Sequence, residues 1–290
     1  MILTRSFVRA KRPCTDGFRW FVRQFDEGGN YQELLDTMVA AGRVGDACWL
    51  LEQFGPTDAV RVVDSIEADA VVFSGTLEVR GNVDVDGLVR VGRSLRAGGG
   101  VRVGGELAVG EDLRAGGSVR VEGDVEVGGE LRAGWGIDCT GRLNCDGELR
   151  AAWDLRCGGP LRVGGNVFVG LELHGEDELT FGKGLQVGGD ILTEAVLRAR
   201  QGIVAGGSIR CAMHLQAGWG IKAAGAIVAE GSIRAGESLS AGEEIRAGGG
   251  YGVFAGLDVP VDAWEASARV SARERPAGLM SGWWAGEAGL

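Results

Sequence analysis

The residues best suited to metal or nucleophilic chemistry in this chain are six cysteines and two histidines, and their spacing favours neither. Cys14, Cys48, Cys139, Cys145, Cys157 and Cys211 contain no Cys-x-x-Cys pair and no zinc-ligand spacing, so no metal site is expected. Cys139 and Cys157 lie eighteen residues apart, a spacing that stacks them in adjacent coils, so they read either as a disulfide, where the geometry allows one, or as reduced core fillers, since a free thiol packs as a small hydrophobe. The histidines are His174 and His214. As a general base either would need an orienting acid and a pocket; His174 has Glu172, Glu176 and Asp177 nearby in sequence. Strings resembling GxGxxG recur throughout, as by-products of a repeat rather than as phosphate loops. No catalytic residue and no cofactor site is expected.

That repeat organises the chain. Residues 71 to 262 divide into thirty-two hexads with no apparent insertion: VVFSGT, LEVRGN, VDVDGL, VRVGRS and onward to LDVPVD at Leu257. Position one is Val, Leu or Ile in every hexad except that of Tyr251; position three is mostly Val, Ala or Cys; Gly recurs at positions four and five. Alternate strand residues share a face, and glycine accepts the bend that follows, so each hexad makes one flat side of a β-helix. LRAG at Leu95, Leu113 and Leu131 and LRAA at Leu149 recur every eighteen residues, which gives three sides per coil. The fold class is therefore mainly β: a three-sided parallel β-helix (solenoid) of about 11 coils, roughly 50 Å long at the 4.7 to 4.9 Å spacing of neighbouring strands. Its handedness is left open by the pattern.

This frame turns positions into predictions. Arg96, Arg114, Arg132 and Arg150 form a ladder at outward position two, with Asp112, Glu130 and Glu148 two residues before the last three, which predicts a solvated salt-bridge lattice. Trp135, Trp153 and Leu171 share position five of one side in successive coils, where Gly99 and Gly117 precede and Gly189 and Gly207 follow. They predict an apolar ridge at mid-rod, either covered by the chain's own termini or presented to a partner. Trp219, in a second AGWGI phrase, falls on another face.

The flanks have a different grammar. Residues 1–58 predict a block of three helices: one after Thr15-Asp16 with Phe18, Phe21, Val22 and Phe25; one after Asn30 with Leu34, Leu35, Met38 and Val39; and one from Val44 to Phe54. Glu33 completes a capping-box pattern with Asn30, and Gly42 and Gly55-Pro56 are stops. Such a block has a marginal core alone and is expected to pack on the first coil, over its unpaired sheet edge. Residues 59–262 are the solenoid, with 59–70 leading into the frame. Residues 263–290 predict a short helix (AWEASARVSARER) and a tail whose Trp264, Trp283 and Trp284 cap the last coil; Trp283 and Trp284 are also candidates to dock on a partner or a membrane surface.

A net charge of −10 argues against a nucleic-acid binder, which needs a basic stripe. No run approaches a membrane span and the start lacks a signal-peptide core, so a cytoplasmic protein is the expectation. Texture such as VRVEGDVEVGGELRAG across residues 71–262 resembles the bactofilins, bacterial polymer-forming cytoskeletal proteins. The resemblance implies a non-catalytic scaffold whose β-helices join end to end. The helical block and Trp-rich tail depart from that family's short termini. The reading is a scaffold that binds a protein partner or itself through Trp135, Trp153, Leu171, Trp219, Trp283 and Trp284. The alternatives are a discrete interaction or regulatory module that a bacterial partner enzyme recognises or cleaves, and a hexapeptide acyltransferase.

Overall fold

The computed structural model describes residues 1–25 and 28–287; the final residues of the tail, 288–290, lie outside the described residues. From Val71–Phe73 to Ile245–Ala247 every hexad yields one short strand, with positions one and three turned inward and position two facing outward. Strands eighteen residues apart pair in parallel, for example Leu113↔Leu131 and Ala115↔Ala133. The result is three parallel sheets of 11, 12 and 13 strands that form the sides of the rod. Side one carries the strands of Leu77, Leu95 and their successors, side two those of Val83 and Val101, and side three those of Val89 and Leu107. The core is a set of columns of identical or near-identical side chains, such as Leu95, Leu113, Leu131 and Leu149, all fully buried. It is a core built by stacking, each coil burying the apolar face of its neighbour.

The rod begins before the regular frame. Val60–Val63 and Ile66–Ala68 are already strands, pairing with the next coil sixteen and seventeen residues on (Val63↔Val79, Ile66↔Val83), so the first turn is shorter than the rest. At its end the frame breaks earlier than the sequence pattern indicates. Val253 stands in register with Ile233, twenty residues back, because the turn after Ala247 takes two extra residues at Gly249 and Gly250, the latter at φ 84°. Tyr251 is consequently no inward residue of a hexad but is exposed against His214, and Leu257 faces solvent.

The C-terminal segment also differs from expectation. Among the described residues of this segment helix is confined to a 3-10 turn at Val261–Ala263 and to Trp264–Ser267, after which Arg269–Ser271 returns to side one beside Leu239. Ala268, Val270 and Ala272 are all fully buried, and that alternation of two, which belongs to a strand, outweighs the helical propensity of the alanines. Leu279–Ser281 and Trp283–Gly286 then add further strands to sides three and one. Trp284 packs against the core while Trp283 points outward. The tail thus completes the rod instead of lying across it, and Trp264 packs over Gly256.

The described residues of the N-terminal block form four helices, α1 (Arg5–Ala10), α2 (Thr15–Gln24), α3 (Tyr31–Ala40) and α4 (Val44–Phe54). The first, RSFVRA, is too short to show a helical period, and its Val8 joins the block's core. Cys14 caps α2 through its sulfur, which accepts from the Gly17 N–H, and Asn30 caps α3 by accepting from the Gln32 N–H at 3.0 Å. Phe21, Tyr31, Leu34, Leu35 and Leu50 form a separate apolar cluster that reaches the rod through Val72 and Leu88.

Candidate functional site

The Trp ridge stands at the corner between sides one and two, where position five follows the strands Leu131–Ala133, Leu149–Ala151 and Val167–Val169. Backbone bonds fix the rungs: Trp153 N–H donates to Trp135 C=O at 3.2 Å and Leu171 N–H to Trp153 C=O at 3.1 Å. The two indoles stack with ring centroids 5.4 Å apart and planes 6° from parallel. Trp135, Trp153 and Leu171 are each 52% exposed, so no described residue of either terminus covers them. The helical block sits at the opposite side of the triangle, with Glu52 of α4 paired to Arg90 on side three at 2.9 Å. Trp219 is 51% exposed at the corner between sides three and one, away from the ridge, and Trp283 is 44% exposed at the far end. The six partner-contact candidates therefore occupy three places, and only Trp135, Trp153 and Leu171 come together.

A hollow of about 440 Å³ adjoins the ridge where glycines replace its rungs, bounded by Asn82, Gly99, Gly117, Arg102, Arg120 and Trp135. The free face of the Trp135 indole closes one end. A longer trough of about 830 Å³ follows side three from beneath α4, past Arg90, Ala108, Glu126, Asn144 and Arg162. It carries charges of both signs, and the Glu52–Arg90 ion pair lies at its α4 end.

The arginine ladder is neutralised as its spacing indicates. Arg114 lies 3.2 Å from Asp112 and 3.5 Å from Glu130, and Arg132 lies 2.9 Å from Glu130. Arg150 pairs with Glu148 and lies over the Phe168 ring, 4.4 Å from its centroid. The arginines are about half exposed and their acids less so, and each such solvent-facing pair contributes about 0 to 1 kcal/mol.

Position six holds a feature that the hexad pattern alone conceals. Asp124 accepts from the Arg142 N–H at 2.8 Å, Asn82 from Gly100 N–H at 2.9 Å, and Asp190 from Ser208 N–H at 2.7 Å, each eighteen residues ahead. The side chain satisfies a corner N–H of the next coil. His214 does the same work: its Nδ1 accepts from Ser232 N–H at 3.0 Å, and its ring meets Tyr251 edge to face. The signal for it was present, since polar residues with a side-chain acceptor recur at position six. His174 stands in register with Arg156 on side two. Among the described residues no group of three His, Cys, Asp or Glu side chains is placed to hold a metal.

Cys139 and Cys157 are stacked neighbours, both buried and both free thiols. The Cys157 thiol beside it, together with burial, raises the Cys139 pKa far above the usual thiol value. Burial pushes Cys145 up to about 11 and Cys211 up to about 12. Thiols held protonated in this way are poor nucleophiles.

Comparison with known proteins reaches only the N-terminal block: residues 1–55 match the family model described as the YdhT N-terminal domain. No curated protein and no solved structure gave a match. The fold defines the class, a parallel β-solenoid rod with a small helical domain at its head.

Proposed function

We propose that this protein is a non-catalytic structural rod of bactofilin-like type, which sets a distance with its solenoid and presents the Trp135–Trp153–Leu171 ridge as its protein-contact surface. The observation that carries the reading is the exposure of two stacked indoles at mid-rod, at a corner that neighbouring coils turn with glycine. A ridge of this size in water favours association, and tryptophans are over-represented among residues that dominate binding energy. Stacked free thiols at Cys139 and Cys157 are in keeping with a reducing, cytoplasmic setting. Capture of interacting protein by the full chain and by a Trp135→Gly/Trp153→Gly variant tests the proposal. Loss of capture with an unchanged far-UV spectrum supports it, and undiminished capture removes the ridge.

A second reading, a discrete interaction module and not a filament subunit, is favoured by the head of the rod. Gln32 occupies the backbone edge of the first strand of side three, where an end-to-end neighbour would pair. Negative-stain microscopy separates the two: isolated short rods support the module, and filaments support the polymer.

A further inference from the structure

The ridge and the glycine rungs beside it are complementary to each other. Position five of side one reads Gly81, Gly99, Gly117, then Trp135, Trp153, Leu171, three empty rungs followed by three filled ones. Trp135 stacks on Trp153 through one face; its other face looks along the rod over Gly117 and Gly99 into the hollow of about 440 Å³. The residues flanking these rungs are small, among them Gly98, Gly100, Gly116, Ser118, Gly134 and Gly136, so another rod can approach the corner closely.

We propose that a second copy of this chain docks antiparallel along this corner, placing its Trp135 and Trp153 over Gly117 and Gly99 while receiving this chain's indoles on the same glycines. This rests on the reading of the ridge as the contact surface and names its partner. A two-fold axis between the rungs of Gly117 and Trp135 pairs each filled rung with an empty one. The free face of Trp135 then meets the second copy's Trp135, and the two short stacks merge into one of four indoles. A partner that fills consecutive vacancies must carry aromatic groups at the coil spacing, as this chain itself does, with indoles 5.4 Å apart. The isologous arrangement is the commonest form of closed symmetry. It sets Arg120 of each copy level with Asp138 of the other; on their own chain these two are in register on adjacent strands and in no ion pair with a described residue. The head of the rod leaves the corner free, because the block packs on side three. The other flank of the ridge ends in Leu171, which offers no ring face.

Sedimentation equilibrium of the full chain across about 1 to 100 µM tests the inference, with near-ultraviolet circular dichroism reporting indole coupling. The expected result is a dimer with an exciton signal that Trp135→Gly/Trp153→Gly abolishes. Ser118→Arg, which fills the hollow and leaves the ridge and the turn glycines intact, is expected to weaken the dimer at least tenfold. Orientation follows from spin labels at Arg210→Cys in a Cys14→Ser/Cys48→Ser background. The antiparallel register separates the labels by nine coil rises, about 43 Å along the axis, whereas a parallel pair holds them side by side at one height. A monomer at every concentration, a dimer indifferent to both variants, or labels at one height overturns the inference. If the chain is monomeric and the double glycine variant still loses capture of another protein, the second copy is wrong and the contact surface stands. If that variant changes nothing, both fall.

Discussion

The Gln32 side chain accepts a hydrogen bond from the Ser74 N–H at 2.9 Å, forty-two residues away. The same carboxamide donates to Val72 C=O at 3.0 Å, so one side chain imitates the backbone of the coil that would precede side three. Open strand edges invite pairing with other chains, and proteins cover them. Gln32→Ala removes both bonds and is expected to destabilise the docked block by about 1 to 3 kcal/mol. Hydrogen exchange at Ser74 checks this: protection falls in the variant, while that of Leu131 in mid-rod is unchanged. Longer particles in negative stain are the further expectation, since the edge becomes available.

Leu131 is fully buried in a column between Leu113 and Leu149, with Arg132 exposed next to it. Leu131→Asp places a carboxylate where no cation or donor can reach it, at a cost of several kcal/mol. Thermal unfolding should show a large loss for Leu131→Asp. For Arg132→Asp, which disturbs only a half-exposed lattice, a change of about 1 kcal/mol or less is expected.

Asp124 bonds the Arg142 N–H at 2.8 Å through one oxygen and the Arg142 guanidinium at 3.2 Å through the other. Asp124→Ala leaves that corner donor without its side-chain partner and should cost about 0.5 to 1.5 kcal/mol. Asp124→Asn retains a side-chain carbonyl acceptor and is expected to keep most of the stability. Equal melting of the alanine and asparagine variants would refute a role for the position-six acceptor.

Cys139, Cys145 and Cys211 are protected twice, by burial and by raised pKa values, whereas the hydrogen bond from Cys139 lowers the pKa of Cys157, which burial alone protects. Cys145, held up to about 11, and Cys211, held up to about 12, are almost wholly protonated at pH 8. A raised pKa means that stability is fully present below the unfolded value and declines as pH passes the unfolded thiol value of about 8.5 towards the folded one. The contribution of Cys145 and Cys211 to stability should therefore be lost as pH rises above about 8.5. In native protein at pH 8, alkylation followed by mass spectrometry should modify exposed Cys14 first, with Cys139, Cys145, Cys157 and Cys211 reacting on unfolding.

The sequence by itself determined the side length, the number of sides and the inward residues, because each is a local property repeated many times. A branched aliphatic, an outward residue, a small inward residue and glycines specify one side, and the eighteen-residue recurrence of LRAG specifies the coil. It also located Trp135, Trp153 and Leu171 on one corner, since a strict period converts numbers into positions. The tertiary structure decided what happens where the period meets something else. Two extra residues at Gly249 and Gly250 shift the register without breaking the hexad count of the text, and only the pairing of Ile233 with Val253 reveals them. ARVSA is strand and not helix because Leu239 offers it an edge. The ridge is uncovered because α3 and α4 dock on Val72 and Leu88 at the far side. That choice rests on contacts between residues remote in the chain, such as Gln32 with Val72 and Ser74, which no periodicity encodes.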